Sequence, residues 1–455
     1  GAEATVAGVE WNIARIGADR IWREMGFTGA GIVVANMDSG VDWTHPALQP
    51  RYRGYNPNNP AASNHHYNWF DATGTYPNAP GPNQPHITNL SDHGTHTMGT
   101  IVGGSEGGTA IGVAPGARWI ATKVFDNRGN STDEWIHAGF QWLLAPTDLN
   151  GQNPDPSKAP DIVCNSWGDD NGQDLTFRDD VNALRAAGIF TAWAAGNNGP
   201  QPGTIGSPAS LENAFAVGAV DSQNQIASFS SRGPSPWGYI KPDVVAPGVN
   251  IRSTIAGGGY EAGWNGTSMA TPHVAGLAAL MWEADRSPAL RGQSANPSLT
   301  VTSTEYIISD TALELGPAGK DNAYGLGLIN AYEAVSTVIQ GGTFAGRVTD
   351  AHTGLGMADV LLTMTSRTTG AQTFTHSDAQ GYYSFTVAAG RYDVTATRFG
   401  YHEARVEDIQ VIVQMTTQLD LELQPQPGGV LTGRVTRNTG GTPGAATVQV
   451  LDTPI

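Results

Sequence analysis

Ile32-Val33-Val34-Ala35-Asn36-Met37 runs directly into Asp38-Ser39-Gly40. A short, mostly apolar run that ends on an acid and a turn pair reads as a strand buried on both faces. Residues 119–125, 162–164, 189–195, 215–220 and 243–245 repeat the pattern. Between them lie segments of helical period, residues 133–144 and 177–187, the second stopped by Gly188. Apolar strands alternating with helices predict an α/β domain. Its sheet is mostly parallel and covered on both faces, and its chemistry lies at the carboxyl ends of the strands.

The chain has 455 residues, too many for one compact domain, and a formal net charge of -17. That acidity argues against a nucleic acid or an anionic membrane as partner, since either would select a basic face. No apolar run is long enough to span a bilayer. Cys164 is the only cysteine, so no disulfide can close within the chain. The opening residues lack the basic start and apolar core of a signal peptide, so an exported protein would be met here in a processed or trimmed form.

The character changes near Gln340. Residues 358–364, 382–387 and 392–397 alternate apolar and polar positions, with turn signals such as Asp378-Ala379-Gln380-Gly381 between them. These predict a small antiparallel all-β sandwich over residues 341–425, after an α/β domain over 1–340. Residues 426–455 read as a linker and the start of a second copy. Gly428-Gly429-Val430-Leu431-Thr432-Gly433-Arg434-Val435-Thr436 repeats the pattern of Gly341-Gly342-Thr343-Phe344-Ala345-Gly346-Arg347-Val348-Thr349.

Three segments carry chemistry. Asp38, directly after its strand, is placed to orient a histidine, although an Asp closing a strand is more often a turn residue. Ser91-Asp92-His93-Gly94-Thr95-His96 offers that histidine. The two histidines stand three apart with no adjacent Glu, which does not match the helical zinc pattern. The third segment is Asn265-Gly266-Thr267-Ser268-Met269-Ala270-Thr271-Pro272-His273-Val274-Ala275-Gly276, followed by a strongly apolar helical run. Ser268 would sit at a helix start, where a free backbone N–H and the positive end of the helix dipole suit a nucleophile and one arm of an oxyanion hole. A capping serine alone explains neither the preceding glycine nor the other two segments. Pro272 is expected in the first turn, where a helix tolerates proline.

Together, and in this order, Asp-Ser-Gly, His-Gly-Thr-His and Gly-Thr-Ser-Met-Ala-Thr-Pro-His-Val-Ala-Gly resemble the subtilisin-like serine proteases over roughly residues 10–335. Asn165-Ser166-Trp167-Gly168 is similar to the bacillopeptidase F-like branch. The resemblance implies a subtilisin-like three-layer fold and a secreted, extracellular serine endopeptidase with Asp38, His93 and Ser268 as triad. It implies acyl-enzyme chemistry, with His93 as general base and Asp38 holding its tautomer. Because His93 must be neutral to act, activity is expected to fall below about pH 6.5. Ala194-Ala195-Gly196-Asn197 matches the turn that supplies the second oxyanion donor, so Asn197 joins the Ser268 N–H.

The resemblance also implies binding of a protein or peptide substrate by strand addition. The edges would be Ser166-Trp167-Gly168 and the loop holding Gly129 and Asn130. Ala194, Ala195 and Gly196 would wall a pocket roomy enough for a large or aromatic group before the scissile bond. Trp167 is divided between core packing and a pocket for the fourth residue upstream. No cofactor is required for the chemistry. The family's strong calcium site is in doubt, since Ala47 stands where an Asp ligand is usual; calcium elsewhere, and any other metal, stays open. His65, His66 and Tyr67 read as surface loop. An N-terminal propeptide and a monomeric state are expected. The β-sandwich resembles carboxypeptidase regulatory-like (transthyretin-like) modules. Catalytically inactive binding or adhesion scaffolds on the same fold are the alternative.

Overall fold

The computed structural model describes residues 8–82, 89–287, 299–367, 370, 372–387, 390–412 and 415–426. The proposed second repeat, residues 428–455, lies outside them. The chain divides into two compact units, Gly1–Ile339 and Gln340–Ile455.

The first unit is built on seven parallel strands: β1 Val33–Asp38, β2 Trp69–Asp71, β3 Arg118–Lys123, β4 Ile162–Asn165, β5 Phe190–Ala194, β6 Phe215–Val220 and β7 Val244–Pro247, in the order β2-β3-β1-β4-β5-β6-β7. The apolar runs become strands within a residue or two of their expected ends. β4 to β7 are buried along their whole length, as a sheet covered on both faces requires. β1 lies between β3 and β4, so the chain reverses direction across the sheet beside it. Crevices open at such reversals, outside the carboxyl ends of the strands.

Helices Asp133–Leu144 and Arg178–Ala186 cover one face of the sheet. There Met37, Phe140, Val163, Leu184 and Trp193 share one buried cluster. Thr132 caps the first helix, its side chain accepting from the Trp135 N–H. The other face holds Thr267–Arg286, which packs on β4 to β7 and is buried on nearly every side, and Asn89–Val102, which packs on β1. A two-stranded antiparallel ribbon, β8 Ile251–Ile255 and β9 Gly259–Trp264, leads into Thr267–Arg286.

The second unit has two four-stranded sheets. One joins β13 Tyr382–Val387, β10 Gly342–Asp350, β16 Thr416–Gln418 and β17 Leu421–Leu423. The other orders β12 Gln372–His376, β11 Leu361–Ser366, β14 Gly390–Thr397 and β15 Ala404–Val411. Buried positions alternate along β10 and β14, with Phe344, Val348, Tyr392 and Val394 inside. The second unit is all-β with mostly antiparallel pairing, as expected, apart from its last two described strands. β16 and β17 both run parallel to β10, because the chain returns along β10 after completing the other sheet.

Candidate active site

Asp38 closes β1, and its carboxylate accepts from His93 Nδ1 at 2.8 and 3.0 Å. The Ser39 N–H donates to Asp38 Oδ1 at 2.6 Å. His93 lies in the Asn89–Val102 helix, which is seated closely enough that a side chain at Gly94 would run into the Gly40 carbonyl. Burial disfavours the charged imidazole of His93. The charge and hydrogen bond of Asp38 outweigh that and raise its pKa above the ordinary histidine value. The acid limb expected near pH 6.5 therefore moves upward.

Ser268 is the second residue of Thr267–Arg286. Pro272 is not in the first turn, as expected, but is the sixth residue of the helix. Lacking an N–H, it cannot pair with the carbonyl four residues back, which belongs to Ser268. That carbonyl instead accepts from the Ser166 hydroxyl at 2.9 Å, while the Ser268 hydroxyl donates to the Ser166 carbonyl at 2.8 Å. The two serines thus clasp the helix start to the segment after β4.

Asn197 follows β5. Its Oδ1 accepts from the Thr267 N–H at 2.9 Å and from the Thr267 hydroxyl at 3.1 Å. The amide oxygen is therefore committed to the helix start, and Nδ2 remains as a donor toward the cleft.

Asp38, His93, Ser166, Trp167, Gly168, Gly129, Ala194, Gly196, Asn197 and Ser268 all line one cleft of about 260 Å³. Two of the expected substrate-binding residues do not. Ala195 is fully buried, with its N–H on Val217 and its carbonyl on the Gly206 N–H. Asn130 is exposed and turned back on its own loop, its Nδ2 on Asp126 Oδ2 at 3.1 Å. Trp167 packs in the core and also reaches the cleft. It lines the cleft, and its ring meets Phe125, Phe140, Phe177 and Trp193 at centroid distances of 5.5–6.0 Å.

Sequence reasoning passed over several residues. Phe125, Leu90, Asp169, Asp170, Asn198 and Gly206 also line the cleft. Asp169 and Asp170 directly follow Gly168, which was the available signal. Lys123 was also missed. Although buried, it sits beside Asp38 and donates from Nζ to Ser39 O (2.6 Å), Phe125 O (2.7 Å) and Asn127 Oδ1 (3.0 Å). Burial lowers its pKa to about 8 against the pull of Asp71, Asp38 and Asp126.

A family model described as the subtilase family matches residues 29–327, and the motifs that place Asp38, His93 and Ser268 lie inside that match. The chain belongs to the subtilase family. Subtilases are subtilisin-like serine proteases, hydrolases whose chemistry needs no cofactor. The chain is 47% identical over 343 residues to bacillopeptidase F of Bacillus subtilis, a match covering 73% of this chain and 22% of that protein. It is 36% identical to subtilisin E of B. subtilis over 72% of this chain and 71% of that protein. It is 34% identical to subtilisin Savinase of Lederbergia lenta, with 72% and 98% covered. Residues 343–424 match the carboxypeptidase regulatory-like domain.

The segment around Ala47 does not fit the calcium ion that the subtilase resemblance implies. Ala47 offers no side-chain ligand, and its carbonyl accepts from Arg51 Nη1 at 3.2 Å. The same guanidinium reaches Pro115 O at 2.8 Å and Glu106 at 2.9 Å, so a fixed cation already serves these oxygens. Among the described residues no group of three or more His, Cys, Asp or Glu is placed to hold a metal, and no helix is long and apolar enough to cross a membrane.

Proposed function

We propose that this subtilase is a secreted serine endopeptidase acting on proteins and peptides, with Asp38, His93 and Ser268 as its triad. The observation that carries this is the Asp38–His93 pair at 2.8 Å in the same cleft as a serine whose helix start is held by Asn197.

His93 Nε2 takes the Ser268 Oγ proton as Oγ attacks the peptide carbonyl, and the C–O bond forms as the carbonyl π pair moves to oxygen. The Ser268 N–H and Asn197 Nδ2 receive that oxyanion. Collapse expels the amine, which leaves with the proton from His93. Water, deprotonated by His93, then cleaves the acyl-enzyme. Asp38 keeps Nδ1–H oriented throughout and stabilises the imidazolium. Strand addition along Ser166–Gly168 would give the Ser166 carbonyl to a substrate N–H, releasing the Ser268 hydroxyl to His93.

An extracellular life, maturation from an N-terminal propeptide and a monomeric enzyme complete the reading, supported by the family. Division into a peptidase domain over 1–340 and a β-sandwich over 341–425 is supported by the two compact units and the two matched regions. Incubation with an unfolded protein, with fragments read by mass, tests the activity. Internal cuts that vanish in Ser268→Ala are expected; cuts that persist in that variant would overturn the assignment.

A further inference from the structure

We infer that Asp169 and Asp170 make the pocket beyond Ser268 selective for a basic side chain, Lys or Arg, before the scissile bond. This rests on the endopeptidase reading above. The pocket is walled by Ser166, Trp167 and Gly168 on one side and by Ala194, Gly196 and Asn197 on the other. Its far end is closed by an antiparallel bridge, the Asp169 N–H on Ser207 O at 2.8 Å and the Ser207 N–H on Asp169 O at 3.0 Å. A Cβ at Gly206 would stand 2.5 Å from the Asp169 carbonyl, and one at Gly168 would stand 2.9 Å from the Ser207 carbonyl. Neither residue can narrow the pocket, so what enters is selected by the groups at its rim.

Those groups are carboxylates. Asp169 and Asp170 both line the cleft and both are exposed. Among the described residues their side-chain hydrogen-bond partners are neutral. Asp169 Oδ1 accepts from the Asn171 N–H at 2.6 Å, and Asp170 Oδ1 accepts from Asn198 Nδ2 at 2.5 Å. Asn198 thus fixes one carboxylate at the pocket. Among the described residues no Lys or Arg lines the cleft. Among the described residues the site presents negative charge with no Lys or Arg counter-ion, and the chain's net charge of -17 steers basic peptides toward it. An aromatic side chain fits the same walls but leaves the carboxylates unused, and an acidic one is repelled.

The test uses peptide p-nitroanilides that differ only in the residue before the scissile bond: Lys, Arg, Met, Phe or Glu. Rates are measured on the full chain and on Asp169→Asn, Asp170→Asn and the double variant, each normalised to sites titrated with a fluorophosphonate. Lys and Arg are expected to exceed Met in kcat/KM by about tenfold, with Glu lowest and the advantage shrinking as salt is raised. The double variant is expected to lose about that factor on Lys and Arg while keeping its rates on Met and Phe, which also shows that it folds. Titratable sites with Met or Phe equal to Lys, or a double variant that slows every substrate alike, would overturn the inference and leave the peptidase reading standing. No titratable sites and no cleavage would overturn both.

Discussion

His93 is pulled in two directions. Burial disfavours its charged form, and the Asp38 carboxylate 2.8 Å from Nδ1 favours it, with Asp38 prevailing. The neutral base therefore becomes the major form at a higher pH than for an ordinary histidine. The acid limb of kcat/KM is expected to have its midpoint above pH 6.5 and to move down in Asp38→Asn, where the charge is gone; a midpoint at or below 6.5 in the unaltered chain would contradict this balance. Asn197 has a narrower task. Asn197→Ala is expected to lower kcat about 10²–10³-fold with little change in KM, the usual cost of losing one oxyanion donor; a rise in KM at constant kcat would make it a substrate-binding residue only. Asp38, His93, Ser268 and Asn197 were legible because each stands in a short motif beside a strand or helix end. Lys123 was not, because an isolated charge carries no periodicity to say whether it faces water, core or cleft; for Asp169 and Asp170 the one signal was their place directly after Gly168.

Most strands could be read because a parallel sheet covered on both faces demands continuous apolar runs, and β6 falls on residues 215–220 as expected. The Asn89–Val102 helix was not legible. Its Ser, Thr, Gly and His residues have modest helix propensity, and tertiary packing overrides them. Gly94 and Gly99 let it approach: a side chain at Gly94 would strike the Gly40 carbonyl, and one at Gly99 would strike Thr254 and Ser253. The Ser166–Ser268 clasp was equally hidden, since it needs both Pro272 in its helix and the end of β4 brought beside it. Ser166→Ala removes the side-chain donor to the Ser268 carbonyl. It is expected to lower kcat about tenfold while the chain stays folded, because a lost hydrogen bond of this kind costs roughly 1–2 kcal/mol. Unchanged kcat would show that the clasp does not position the nucleophile.

Across the whole peptidase unit, two buried histidines tie stability to pH. His273 accepts from Asn12 Nδ2 at 2.8 Å and donates from Nδ1 to Met269 O at 2.9 Å, a pattern that suits the neutral ring. Burial lowers its pKa to about 4, and that of His96, stacked 4.3 Å from Trp264, to about 3. In the unfolded chain both titrate near the ordinary 6.5. Below that value the unfolded chain binds more protons, so folding stability falls as pH drops from 6.5 toward 4, by roughly 3 kcal/mol for His273. Melting of the Ser268→Ala chain, which cannot digest itself on this account, is expected to show Tm declining already between pH 6.5 and about 5, before carboxylates take up protons. A flat Tm over that interval would contradict it.

The triad itself is tested most directly by labelling the full chain with a fluorophosphonate and locating the adduct by peptide mass. One label per chain is expected, on Ser268, lost in Ser268→Ala and slowed as pH falls through the raised pKa of His93. Folded protein that takes no label, or takes it on another serine, would contradict that expectation.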